Sequence, residues 1–233
     1  MSERDHDRIP YTVLVEFRTA SSFLVAYSMS LSRGGIFVET DWDVPTGMPL
    51  ALDLHVPGAG PLQLVGTVAW RRGSDSPDGP AGLGIELHDV PQLGSAIDKL
   101  VSSFRGVRVL LLSGDRQDRT SLARSIKSII STADIAQAAD AASAAEQLTS
   151  EIDVAIVDVD FDPDGALTIL RVARQLTPKV PTIAIAATPK LREWARVSGA
   201  DELAANPPSF SELQIVLVRA LSKPVSVQAS ASA

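Results

Sequence analysis

Two arginines near the amino end and a turn rich in serine and glycine have side chains that could bind a ligand. Arg4 and Arg8 are separated by three residues. The turn SLSRGG adds two hydroxyls, a third guanidinium and an unhindered backbone, at Ser30, Ser32, Arg33 and Gly35. A planar guanidinium forms paired hydrogen bonds with phosphate oxygens, or with O6 and N7 of guanine. Glycine lets a backbone approach another group closely.

A second group consists of carboxylates in the run VDVDFDPDG. Asp160, Asp162 and Asp164, followed by Gly165, match the opening of an EF-hand calcium loop. The twelfth position of that loop requires a bidentate glutamate, but here it is Arg171. The flanking pattern is also strand–loop–helix rather than helix–loop–helix. We therefore expect a solvated acidic loop and no metal site.

The first part of the chain has the pattern of antiparallel β-structure. Short runs rich in Val, Leu, Ile and Phe are separated by Gly, Pro, Ser and Asp. They predict strands at residues 11–18, 23–28, 35–40, 49–56, 62–72 and 82–88. Strands at this spacing indicate a barrel or sandwich. A helix is predicted to follow at residues 91–104, with Leu93, Ile97, Leu100 and Val101 on one face. Trp70 is expected in the core.

The second part of the chain alternates strands with helices. Strands are predicted at residues 107–112, 134–138, 154–159, 181–187 and 201–203. Helices are predicted between and after them, at residues 121–130, 141–148, 166–176, 190–197 and 211–221. Five βα repeats specify a doubly wound, parallel five-stranded sheet with right-handed crossovers. The predicted fold class is therefore α+β followed by α/β.

These patterns predict a first domain at residues 1–105, a second at residues 106–223 and a disordered tail at residues 224–233. The net charge of −7 argues against binding to nucleic acid or to an anionic membrane. No run approaches the about 20 apolar residues of a membrane span, and the charged start is unlike a secretory signal. The expected location is the cytoplasm. The chain has no cysteine, and its three histidines lie far apart in sequence. Cysteine chemistry is excluded, and no histidine-based metal site is expected.

The first part of the chain resembles the PilZ domain, a bacterial module that binds cyclic di-GMP. The resemblance is carried by RxxxR at Arg4 and Arg8, by SLSRGGIFVET, by GTVAW at residues 66–70 and by AGLGIEL at residues 81–87. It implies a β-barrel with a closing helix and a cyclic di-GMP site. Arg4 and Arg8 would bind bases and phosphates, Ser32 would supply a hydroxyl, and Gly35 would allow close approach of the backbone. Ser30 and Arg33 belong to the same motif.

Ser30 stands where the PilZ family has Asp or Asn. A carboxylate or amide oxygen can accept from guanine N1–H and N2–H, whereas a serine hydroxyl is shorter and a weaker acceptor. The loss of one such contact costs about 1–3 kcal/mol, or roughly 5- to 150-fold in affinity. Two alternatives follow. The domain either retains the ligand or has become a scaffold that no longer binds it.

The second part resembles a response-regulator receiver domain, through VLLLSGD, DVAIVD, PTIAIAA and GADELAANP. The resemblance places Asp158 at the phosphoacceptor position. The acidic pair that holds Mg²⁺ in receivers corresponds to Ser113 and Gly114, the Thr/Ser position to Ala186 and the Lys position to Asn206. Phosphoryl transfer depends on positioned metal and cationic charge. The sequence therefore predicts a degenerate receiver that is not phosphorylated.

Together the two resemblances predict a signalling protein without enzymatic activity. In the first hypothesis it is a cyclic di-GMP effector that acts on a protein partner through the receiver-like domain. In the second it is a ligand-independent scaffold in motility or cell polarity, with recruitment to a cell pole as an option. No catalytic cofactor is implied, and a homodimer is left open. Trp194 is either packed inward or an anchor for the partner.

Overall fold

The computed structural model describes residues 11–31, 35–76, 81–88 and 90–231. The chain divides into an N-terminal unit, made of Met1–Ser103 and Pro224–Ala233, and a C-terminal unit, Phe104–Lys223. The division between the units lies two residues before the predicted position at residues 105 and 106. Within the described ranges, no helix is long and apolar enough to cross a membrane.

The N-terminal unit begins with five strands and two helices. The strands are β1 (Tyr11–Glu16), β2 (Gly35–Glu39), β3 (Pro49–Val56), β4 (Gly60–Arg72) and β5 (Gly82–Leu87). The helices are α1 (Ala20–Leu31) and α2 (Val90–Ser103). The strand predicted at residues 49–56 is confirmed as β3, in which the buried Leu50, Leu52 and Leu54 alternate with less buried residues. On α2, Leu93 and Leu100 are buried, but Val101 is exposed.

Residues 23–28 were predicted as a strand, and that prediction is wrong because they lie within α1. The backbone N–H of Ser22 donates to Thr19 Oγ1 at 3.1 Å, and the N–H of Thr19 donates to Ser22 Oγ at 3.2 Å. These reciprocal bonds form a capping box that favours a helix start. Phe23 and Ala26, three residues apart, are both buried on the helix face that meets the core.

The C-terminal unit is a three-layer α/β structure, as predicted. Its strands are β6 (Val107–Leu112), β7 (Ala133–Ala138), β8 (Val154–Asp158), β9 (Thr182–Ile185) and β10 (Glu202–Ala204). Its helices are α3 (Arg116–Ile129), α4 (Ala141–Gln147), α5 (Pro163–Gln175), α6 (Pro189–Val197) and α7 (Phe210–Ser222). The strands are parallel in the order β7-β6-β8-β9-β10. This order is that of flavodoxin-like folds.

The tail after Lys223, predicted to be disordered, instead contains β11 (Ser226–Ala231). This strand pairs antiparallel with β1 and completes a curled six-stranded sheet in the order β11-β1-β3-β4-β5-β2. The sheet is antiparallel except between β1 and β3. Backbone pairing explains the difference from the prediction, because a free edge on β1 can order a segment of low intrinsic strand propensity.

Candidate functional site

Most of the residues predicted to bind a ligand lie outside the residues that the structure describes. This applies to Arg4, Arg8, Ser32 and Arg33. Ser30 was predicted to lie in the turn between two strands and instead lies in the last turn of α1, with its side chain outside the description. Gly35 is described and is the first residue of β2.

At Gly35 the close approach is to the neighbouring strand. A Cβ at this position would lie 2.3 Å from the carbonyl oxygen of Ile85 on β5. Any side chain would therefore push β2 away from β5 at the end of the SLSRGG turn. Gly35 therefore allows β2 to lie close to β5. Phe37 follows two residues later on the same strand.

A pair of stacked aromatic rings lies on the same sheet. Phe37 on β2 and Trp70 on β4 have ring centroids 5.2 Å apart and planes within 8° of parallel. Gly84 on β5 pairs with both residues and so lies between them. A Cβ on Gly84 would lie 2.1 Å from Trp70 Cε2, so the ring packs directly on the glycine backbone. Trp70 is 38% exposed, and the prediction that it lies in the core is wrong.

Arg72 completes this surface, which we call the aromatic shelf (Phe37, Trp70 and Arg72). Its guanidinium carbon lies 4.9 Å from the centroid of Phe37 and 5.3 Å from that of Trp70. Arg71, its neighbour, instead forms an ion pair with Asp43. A half-exposed indole beside a guanidinium can stack on a flat aromatic ligand and donate hydrogen bonds to its edge. The signal in the sequence was the pair of glycines in GLGIEL, opposite the aromatic residues.

In the C-terminal unit, Asp158 ends β8 and is 6% exposed. Its Oδ2 accepts a hydrogen bond from Ser113 Oγ at 2.9 Å. Its Oδ1 accepts from the backbone N–H of Asp160 at 3.1 Å and from Asn206 Nδ2 at 3.2 Å. The structure thus brings together Ser113, Asp158 and Asn206, three positions to which the resemblance to receivers assigned roles. Both carboxylate oxygens have donors from within the protein.

Asp160 is a residue that sequence reasoning did not assign to this site. The backbone N–H of Ala187, after β9, donates to both of its carboxylate oxygens at 2.9 and 3.1 Å. Asn206 Nδ2, after β10, donates to Asp160 Oδ2 at 2.7 Å. We call Asp158, Asp160 and Asn206 the carboxylate clamp. It connects the segments that follow β8, β9 and β10.

The other polar residues at this edge act as helix caps. Asp115 accepts from the backbone N–H groups of Gln117 and Asp118 at the start of α3. These two bonds, that of Asp118 first, lower the pKa of the Asp115 carboxyl. Asp162 caps α5, and Thr188 caps α6 through its hydroxyl. In the described part of the chain, no group of three or more His, Asp or Glu side chains could hold a metal ion.

Phe161 fills the space beside Gly114. A Cβ on Gly114 would lie 2.0 Å from Phe161 Cδ1. The ring is 69% exposed, so it lies over the surface of this edge. The resemblance to receivers assigned Gly114 to one of the two acidic positions, and in this structure a phenyl ring lies where a side chain at Gly114 would begin.

Burial is the first cause of a raised pKa at Asp158. The negative charges of Asp160 and Asp118 raise it further, while hydrogen bonds from the Asp160 backbone and from Ser113 lower it. The ionised carboxylate is therefore less favourable here than in the unfolded chain.

Comparison with known proteins identifies the N-terminal half. The family model of the PilZ domain matches residues 2–103. Residues 2–103 are a PilZ domain. The aromatic shelf and Gly35 both lie within this PilZ domain. No curated protein matches the chain.

The C-terminal half is similar to solved receiver domains. The signal receiver domain of a DNA-binding response regulator from Colwellia psychrerythraea 34H is 19% identical, with a TM-score of 0.44 over 48% of this chain and 96% of that one. The receiver domain of the response regulator NarL from Mycobacterium tuberculosis is 18% identical, with a TM-score of 0.45 over 51% and 98%. A pilus assembly protein (cpaE) from Burkholderia thailandensis E264 is 18% identical, with a TM-score of 0.45 over 50% and 99%.

The raised pKa of Asp158 predicts how the stability of the receiver-like unit depends on pH. Folded Asp158 holds its proton more tightly than the unfolded chain does. The free energy of unfolding therefore falls as the pH rises from the ordinary carboxyl pKa, about 3.9, through the raised value. Asp158→Asn removes this titration. We expect the variant to match the wild type near pH 3.5 and to be more stable at pH 7, measured by urea unfolding.

Asp140→Asn is the matched control. Asp140 caps α4, and the hydrogen bond from the Ser143 backbone N–H lowers its pKa. A depressed pKa stabilises the folded state above the unfolded pKa and loses that effect as the pH falls. Because asparagine also caps a helix well, the control should differ from the wild type mainly in pH dependence: the stability of the wild type relative to Asp140→Asn should rise with pH, whereas relative to Asp158→Asn it should fall. A loss of stability at pH 7 in Asp158→Asn would contradict this account of the clamp.

Proposed function

We propose that the protein is a bacterial signalling effector without enzymatic activity. The PilZ domain binds cyclic di-GMP, and the receiver-like unit acts on a protein partner without being phosphorylated. The partner is a protein and not a nucleic acid, because a chain with a net charge of −7 repels polyanions.

The observation that carries the ligand assignment is the aromatic shelf next to the SLSRGG turn. Phe37 lies two residues after Gly35, and side chains two residues apart on a strand point to the same face. A guanine base stacked on the shelf would have its O6 and N7 edge within reach of the Arg72 guanidinium. Cyclic di-GMP has two guanines and two phosphodiesters, which Arg4 and Arg8 of the PilZ motif would bind.

Titration calorimetry with cyclic di-GMP tests this assignment. We expect micromolar or tighter binding that Arg4→Ala and Arg8→Ala abolish. Arg72→Ala should weaken binding roughly 10- to 150-fold, since one charged hydrogen bond contributes about 1.5–3 kcal/mol. Arg71→Ala is the control, because this adjacent arginine forms an ion pair with Asp43. Two results would contradict the assignment. One is the absence of binding heat at high micromolar cyclic di-GMP, and the other is an equal loss of affinity in Arg72→Ala and Arg71→Ala.

The carboxylate clamp supports a receiver-like unit that signals without phosphorylation. An incoming phosphoryl group requires a free carboxylate oxygen, a metal and a cation. Here both oxygens of Asp158 accept hydrogen bonds, and the metal-binding and lysine positions are Ser113, Gly114 and Asn206. An amide donates hydrogen bonds but carries no charge to stabilise a transferring phosphoryl group.

Incubation with acetyl phosphate and Mg²⁺ tests the second part of the proposal. We expect the intact mass to remain that of the unmodified chain. Asp158→Asn provides the blank, because it lacks the acceptor oxygen. Stoichiometric addition of one phosphoryl group to the wild type, absent from Asp158→Asn, would show a working receiver and reject the proposal.

A second candidate function is a ligand-independent PilZ scaffold in motility or cell polarity, recruited to a cell pole. Ser30 favours this function, because it replaces the Asp or Asn of the PilZ family. The retention of Arg4 and Arg8 opposes it. In both cases the receiver-like unit would act by contact with a partner.

Ser30→Asn separates the two functions. If the protein is an effector, the wild type binds cyclic di-GMP, and the added amide strengthens binding by roughly 5- to 150-fold. If it is a scaffold that has lost the ligand, only the variant binds. Ser28→Asn, at an exposed position two residues earlier on α1, is the control and should change nothing. Binding by neither protein would argue against both the effector assignment and a latent site.

A further inference from the structure

Asp160 follows β8 and is bound as an anion by groups from two other segments of the receiver-like unit. The backbone N–H of Ala187, which follows β9, donates to Asp160 Oδ1 at 3.1 Å and to Oδ2 at 2.9 Å. Asn206 Nδ2, which follows β10, donates to Oδ2 at 2.7 Å. Hydrogen bonds to an ionised acceptor are shorter and stronger than those between neutral groups. The carboxylate of Asp160 therefore holds together three segments that are far apart in sequence.

Asp160 and Asp158 share a donor. Asn206 Nδ2 also donates to Asp158 Oδ1 at 3.2 Å, and the backbone N–H of Asp160 donates to the same oxygen at 3.1 Å. Two oxygens that accept from one amide nitrogen must lie close together. The Asp160 carboxylate thus lies beside one of the two oxygens to which a phosphoryl group could be transferred.

This position is electrostatically unfavourable for Asp160. Its negative charge is one of the causes that raise the pKa of Asp158. Like charges at short distance destabilise the folded unit unless other interactions offset them. The hydrogen bonds from Ala187 and Asn206 do so, but only while the segments after β9 and β10 stay in place. The carboxylate therefore favours the one arrangement in which its donors converge.

A phosphoryl group orders protein segments by the same chemistry. It adds negative charge and acceptor oxygens, and nearby donors move to bind them. Asp160 supplies both the charge and the acceptor oxygens from within the chain. Its donors are already engaged, with no covalent modification of Asp158.

We propose that Asp160 is a built-in substitute for a phosphoryl group. Its carboxylate occupies an oxyanion site formed by the Ala187 N–H and the Asn206 amide, and it keeps the segments after β8, β9 and β10 in one arrangement. This inference rests on the proposed function, in which the unit acts on a partner without being phosphorylated. It adds that the unit offers this partner a constant conformation. Without the carboxylate, the site takes a small external oxyanion such as formate or phosphate.

Hydrogen exchange of the full chain tests this assignment. Asp160→Ala should speed exchange of the Ala187 amide by roughly 10- to 150-fold, because a hydrogen bond to a charged group is lost. The backbone amides of Ala205 and Asn206 should also exchange faster, since the Asn206 side chain loses a partner. Sodium formate or sodium phosphate should slow exchange in the variant again, whereas sodium chloride at the same ionic strength should not.

Asp164→Ala is the matched control. Asp164 is an exposed carboxylate in the first turn of α5, so its removal changes the net charge by the same amount. Exchange of the Ala187 amide should equal that of the wild type and should not respond to formate. The wild type should not respond to either oxyanion, because Asp160 already occupies the site.

Two results would overturn the proposal. If Asp160→Ala leaves exchange of the Ala187 amide equal to that of Asp164→Ala, the carboxylate does not hold the segment after β9. If exchange accelerates but formate and phosphate slow it no more than chloride does, the donors form no oxyanion site and Asp160 is a structural residue only.

Asp160→Asn provides a variant of the same size should the alanine variant fail to fold. Its amide offers one acceptor oxygen in place of two, so it cannot serve Ala187 and Asn206 as the carboxylate does. Exchange of the Ala187 amide should accelerate by a smaller factor, and unchanged exchange would overturn the proposal as well.

The failure of this inference differs from the failure of the proposed function. Addition of a phosphoryl group to Asp158 by acetyl phosphate would reject the function. Exchange of the Ala187 amide is measured without a phosphoryl donor, so it decides the role of Asp160 by itself.

Discussion

The close packing of strands and aromatic rings in the PilZ domain depends on two glycines, which have no side chain. Gly84 on β5 has no Cβ, so the ring of Trp70 on β4 packs directly on the backbone of β5. Phe37 on β2, the other strand paired with β5, stacks against Trp70. Gly35 allows β2 to lie against the carbonyl of Ile85. A methyl group at either glycine would separate the strands or lift the indole. The exposed ring surface and the position of Arg72 above it both follow from this close packing.

In the receiver-like unit the corresponding constraint is electrostatic. Two carboxylates, those of Asp158 and Asp160, are held close together by one neutral amide and by backbone N–H groups. Burial raises the pKa of Asp158, and the charge of Asp160 raises it further, because donors without net charge satisfy the oxygens but do not cancel the repulsion between the two anions. The segments after β8, β9 and β10 are fastened to one another by these bonds. Such an edge presents a constant surface, which suits recognition by shape.

How far the sequence could predict this structure differs between the units. The strands of the C-terminal unit are continuous apolar runs buried on both faces, so the parallel sheet could be predicted from the pattern, and the joint placement of Ser113, Asp158 and Asn206 could be inferred from the resemblance to receivers. Asp160 could not, because its partner at Ala187 is a backbone N–H, which no side chain reveals. Residues 23–28 were ambiguous, since a short apolar run fits a strand or a helix and the cap at Thr19 decided it. β11 follows from non-local pairing that its own composition does not indicate.

That non-local pairing extends the N-terminal sheet beyond the segment that the sequence pattern predicts. β11 pairs with β1 over six residues, from Ser226 opposite Glu16 to Ala231 opposite Tyr11. Val227 lies opposite the buried Val15 and packs against the core of the N-terminal unit. Backbone pairing is available to every residue type except proline as a donor, which is why a segment of small residues forms a strand here although its composition does not indicate one.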